Sequence, residues 1–139
     1  MAEHAERILD LAGRFPFFLQ IACSSVIEHL LDGDKEVDWE MVTRTYRDEV
    51  YPHFEFIWEK MDEGSRLTVS RIAAEQPVLR EHEYVAEELQ RRGYVEASET
   101  APRLFSSTFV SFVKSRDAAP GSNGGFLGGV VSLFRKRRA

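Results

Sequence analysis

The chain has 139 residues, 43% of them hydrophobic and 12% aromatic, which is enough apolar side chain to build a folded core and excludes a wholly disordered polypeptide. Its net charge is −5, and Arg135, Lys136, Arg137 and Arg138 all sit at the end, so removing those four positive charges leaves the remainder at −9. An acidic body repels phosphate backbones and argues against general nucleic-acid affinity. The lone cysteine, Cys23, excludes an internal disulfide framework and suits a reducing cytoplasm. The first ten residues, MAEHAERILD, are too polar for a signal peptide, and no apolar run nears the roughly 20 residues of a membrane-spanning helix.

In chain order, Ile8, Leu11, Ala12 and Phe15 recur at helical spacing, and Gly13 is the expected terminator. Pro16 suits the first turn of a second helix, where its missing N–H costs little. Phe18, Leu19, Ile21, Ala22, Val26 and Leu30 make that helix apolar over much of its surface, so it is expected to be the buried centre of the N-terminal part. Residues 32–38, DGDKEVD, form a turn in which Asp38 is a good N-cap and Val37 with Val42 a hydrophobic staple. The turn has a superficial calcium-loop pattern, but Val37 stands where glycine is needed and Thr43 where a bidentate Glu is needed.

A third helix carries Val42, Tyr46, Val50, Phe54, Ile57 and Met61 on one stripe. Pro52 falls inside it and is expected to kink or break it, placing a seam near residue 50. The stretch 62–77 predicts a capped helix from about Ser65, with Leu67, Ile72 and Ala73 inward and Pro77 closing it. Residues 80–92 predict another helix, ended by Gly93. YVEAS and RLFSS flank the turn ETAP as short β-runs, and Phe109, Phe112 and Val113 restore helical spacing. The expected fold class is therefore mainly α, with four parts: a helical subdomain over 1–50, a winged helix with a two-stranded hairpin over 51–116, a linker over 117–125 and an apolar-basic tail over 126–139.

The winged-helix pattern raises a DNA-binding alternative, a transcriptional regulator. The candidate recognition helix, 80–92, sets Glu81, Glu83, Glu87 and Glu88 against Arg80, Arg91 and Arg92, a poor match to phosphates and base edges. No Gly-x-x-x-x-Gly-Lys-Ser/Thr stretch and no Gly-x-Ser-x-Gly occurs, and His4, His29, His53 and His82 form no metal spacing with Cys23. These absences predict a non-catalytic chain with no metal and no cofactor of its own. In the tail, Phe126, Leu127, Val130, Val131, Leu133 and Phe134 precede the four cations. That pattern suits either a basic tail that aids solubility or a peripheral membrane or partner-docking anchor, which a single short apolar stretch would hold only weakly.

The strings AGRFPFFLQIACSSVIEHLL, FIWEKMDEGSRLTVSRIAAEQP, ELQRRGYVEAS and RLFSSTFVSFV, in that order across residues 3–114, resemble the helical lid and winged helix of STAND-type, AAA+-like signalling ATPases. The resemblance implies nucleotide contacts at Gly13 and Pro16, the lid motif in which the proline meets adenine. It implies a further contact at Ser106, where the family often has a histidine near the ADP β-phosphate. Arg14 stands where many members have glycine. The P-loop core is missing, so ATP or ADP would enter only with a core supplied by a parent ATPase or a separate protein partner. The expected role is a nucleotide-dependent switch element.

Overall fold

The computed structural model describes residues 2–31, 33 and 36–118. It is mainly helical. The elements are α1 (Ala2–Ala12), α2 (Pro16–Leu31), α3 (Trp39–Lys60), α4 (Glu63–Ala73), a single 3-10 turn (Arg80–His82), α5 (Glu83–Arg91), β1 (Val95–Glu96), β2 (Arg103–Leu104) and α6 (Ser107–Ala118). The strands pair antiparallel, Val95 opposite Leu104 and Glu96 opposite Arg103. The tail residues singled out in the sequence, Phe126 to Arg138, lie outside the described residues.

Helix ends follow local chemistry. Gly13 takes φ +71° and returns its N–H to the Leu9 carbonyl at 2.7 Å, closing α1. Pro16 opens α2 as the first helical residue. The Asp38 carboxylate accepts from the Met41 N–H and caps α3. Asp62 does the same for the Ser65 N–H, so α4 starts two residues earlier than the sequence suggested. Ser65 is the donor to that cap and lies inside the helix. Gly93 ends α5 with paired bonds, Gly93 N–H to Gln90 and Tyr94 N–H to Leu89.

The centre of the molecule is α3 with α6 and α4, and α2 lies to one side of it. Tyr46, Phe54, Val42 and Val50 of α3, Val69 of α4, and Phe109, Phe112 and Val113 of α6 are the side chains shut most completely away from water. The expectation that α2 is the buried centre of the N-terminal part is corrected in its burial, although α1 and α3 both pack on it. Phe18, Ala22 and Val26 are buried, but Phe17 is 50%, Ile27 55% and Leu31 80% exposed. The reason is coverage, since α2 packs on α1 and α3 along one side and no described element covers its other side.

Two further expectations change. Helix α3 runs unbroken through Pro52, so residue 50 falls in mid-helix, and the core forms one cluster drawing on both sides of it. Proline removes the N–H that would reach the Asp48 carbonyl. Asp48 and Pro52 are both exposed, so water can serve that carbonyl. Leu67 points outward, 42% exposed, because α4 buries Thr68, Val69, Ile72 and Ala73 instead.

Helix α4 ends without glycine. Glu75 holds φ 58°, with its N–H on the Ile72 carbonyl and the Gln76 N–H on the Arg71 carbonyl, a Schellman motif with a side chain in the left-handed position. That conformation costs an L-residue about 1–2 kcal/mol. Glu75→Gly is therefore expected to raise stability by about 1 kcal/mol, net of added chain entropy. Urea denaturation measures it as a higher midpoint at an unchanged slope; a lower midpoint rejects the strain at Glu75.

Candidate functional site

A cleft of about 370 Å³ lies where the end of α1, the hairpin and the start of α6 meet. Gly13 and Arg14 line one side, and Leu104, Phe105, Ser106 and Ser107 the other. The α1–α2 corner and the end of the hairpin are joined here at backbone distance. A Cβ added at Gly13 would overlap the Phe105 carbonyl oxygen and come within 2.7 Å of the Phe105 ring. The Ser107 hydroxyl donates to the Asp10 carbonyl at 3.1 Å, a second tie between α1 and α6.

Phe105 explains why the junction is tight. It is 4% exposed and its ring lies 4.8 Å from Phe15, 5.0 Å from Phe109, 5.9 Å from Phe18 and 6.2 Å from both Phe54 and Tyr94, centroid to centroid. Aromatic pairs at such spacings add about 0.5–1.5 kcal/mol each beyond burial. Its backbone N–H continues the hairpin to the Tyr94 carbonyl at 3.1 Å.

Of the residues singled out in the sequence, Gly13 and Ser106 come together in this cleft. Pro16 does not line it and is exposed at the first turn of α2. Ser106 is buried, and its Oγ accepts from the Phe109 N–H at 3.1 Å, capping α6. Sequence reasoning missed Phe105 itself. The only trace of it was the apolar character of RLFSS, which does not distinguish a strand end from a hub.

The charges of the cleft are mixed. Glu6, Asp10 and Glu96 line it against Arg14 and Arg103, and Arg103 lies 3.5 Å from Glu96. A polyphosphate would meet three carboxylates against two guanidiniums, one of them already shared with Glu96, so these residues by themselves do not fit ATP or ADP. Among the described residues no group of three or more His, Cys, Asp or Glu is placed to hold a metal ion. Cys23 is a half-buried free thiol. No described helix is long and apolar enough to cross a membrane.

The face that a DNA reading would need is also tied up internally. Glu88 pairs with both Arg91 and Arg92, the second at 3.4 Å. Those arginines hold the Glu88 carboxyl below the usual range, with the Arg91 hydrogen bond the largest cause. No protein family, curated protein or solved structure matches the chain.

Gly13→Ala combines a disfavoured φ with a backbone clash and is expected to cost about 2–4 kcal/mol. Gly33→Ala has φ +98° but open space around its Cβ, and is expected to cost about 1–2 kcal/mol. Urea denaturation of both variants checks the difference; equal losses would remove the Phe105 contact as the cause. At Asp62, the backbone hydrogen bond from Ser65 is the largest of the effects lowering the carboxyl pKa. A lowered folded-state pKa gives stability that is present above the unfolded value and lost as pH falls through the folded value. Asp62→Ala is expected to flatten the acid limb of stability against pH below the ordinary Asp value of 3.8. Thermal melts across that range read it, and an acid limb parallel to wild type would count against the cap.

Proposed function

We propose that the chain is a non-catalytic regulatory module, a helical lid followed by a winged helix, that works with a P-loop ATPase core it does not itself contain. The observation that carries this reading is the convergence of Gly13 and Ser106. The resemblance to STAND-type ATPases makes both of them nucleotide-facing, and they reach one cleft from opposite ends of the described chain. The order of α4, α5, hairpin and α6 further supports a winged helix. The mixed charge of the cleft favours a module that needs a core to complete a phosphate site. Its mechanism is that of a switch, in which nucleotide on the core changes how the lid and winged helix are held.

Sequence-specific DNA binding is the rival reading. It is disfavoured because Arg91 and Arg92 already share Glu88 on the helix that would enter the groove. Two assays on the purified chain separate the readings. The chain alone is expected to give no ATP turnover above a no-protein blank, and no gel shift of mixed-sequence duplexes at physiological salt. Turnover would overturn the non-catalytic role, and a tight shift would favour the regulator. A reading frame for a P-loop core directly upstream of this coding segment would support the family, and a promoter and ribosome site there would support a separate adaptor.

A further inference from the structure

A second concavity, about 480 Å³, lies between the end of α3, the start of α4 and α5. Ile57, Met61, Val85 and Leu89 supply its apolar lining, and Phe56 and Tyr84, 61% and 70% exposed, stand at its edges. Its volume is in the range of about 300–1,000 Å³ typical of ligand clefts. Large aromatic side chains left this open beside an apolar lining mark a surface that something covers.

We propose that the occupant is the chain's own segment 126–138, docked in cis. Three observations select it over other covers. The first is spacing. Phe126, Val130 and Phe134 follow i, i+4, i+8, and Leu127 and Val131 follow beside them, the anchor pattern of a helix laid into a groove. Gly128 and Gly129 make such a helix weak on its own, so it gains order only against a surface.

The second is reach. Helix α6 ends at Ala118, and Arg116 in its last turn pairs with Glu55, the neighbour of the groove residue Phe56. Seven residues, and so eight Cα–Cα steps, separate Ala118 from Phe126, a tether of up to about 26 Å. From Glu55 to Met61 along α3 is only about 9 Å.

The third is charge. Arg91 and Arg92 share Glu88, and Lys60 lies over the Phe56 ring at 5.2 Å. Glu87 in the groove, and Glu59, Glu63 and Glu83 next to lining residues, have no ion-pair partner among the described residues. That leaves carboxylates for Arg135, Lys136, Arg137 and Arg138, which follow the apolar anchors directly. The tether also raises the effective concentration of the segment, so a modest contact suffices.

The test uses the full chain. Amide hydrogen exchange is followed by NMR in wild type and in Phe56→Glu/Tyr84→Glu, which alters two exposed positions. In wild type, amides of 126–134 are expected to exchange about tenfold more slowly than in the free 126–139 peptide. In the double variant they are expected to match the peptide, while amides of α3 and α6 keep their protection. Phe126→Ser/Leu127→Ser/Leu133→Ser/Phe134→Ser is expected to move the resonances of Phe56–Met61 and Tyr84–Tyr94 and, outside the tail itself, no others. Peptide-like exchange in wild type overturns the proposal. So does protection that survives the double variant, protection that scales with protein concentration and so reports a second copy, or protection that appears only with anionic vesicles. None of these outcomes depends on nucleotide or on an ATPase core, so the docking can fail while the proposed function stands.

Discussion

The structure depends on the closeness of Gly13 to Phe105. A helix could end in many ways before Pro16, but only a residue without Cβ lets the α1–α2 corner rest on the Phe105 carbonyl. Once that corner is seated, Phe15 and Phe18 reach the Phe105 ring, and through it Phe54 and Phe109. The first helices, the central helix and the last helix therefore share one aromatic hub rather than three separate cores. Close packing of this kind does not deform gradually. The N-terminal helices and the hairpin–α6 unit consequently act mechanically as one piece at this junction.

That contact also explains what could be read in the sequence. Helix stops and starts were legible because Gly13, Pro16, Asp38 and Gly93 act through short-range backbone chemistry that needs no partner. The inward stripes of α3 and α6 were legible because their apolar residues repeat with the helical period. What escaped was coverage. Periodicity reports that α2 is apolar, but only the arrangement of α1 and α3 decides that Ile27 and Leu31 face outward. That Pro52 does not break α3 has a related reason, since the cost of an interior proline depends on whether the orphaned carbonyl meets water. Within the candidate site, Gly13 was legible as a helix stop and Phe105 was not legible as its partner, because their contact is long-range and leaves no local pattern.

Electrostatics separates the two concave surfaces in character. The cleft beside Gly13 mixes its charges with carboxylates in excess, and Arg103 is drawn to Glu96 across the hairpin. The groove beside Phe56 spends its arginines on a single glutamate and leaves other carboxylates open. Exposed pairs of this sort add little stability, typically under about 1 kcal/mol. Their consequence is which charges they leave unpaired, Glu87 in the groove among them.

The two surfaces meet in the hairpin. Tyr94 lines the groove, Phe105 lines the cleft, and their rings sit 6.2 Å apart with a backbone hydrogen bond between the residues. Tyr94 is itself held against Phe15 at 5.5 Å, so it is packed on the core side whatever fills the groove. Moving it would mean repacking Phe15 and Phe105 together, a cost spread over the whole hub. A segment entering the groove gains more by covering Tyr84 and Phe56, which are free to adapt, than by displacing Tyr94. The hairpin therefore behaves as a fixed wall between the two surfaces, and each can be occupied without dismantling the other.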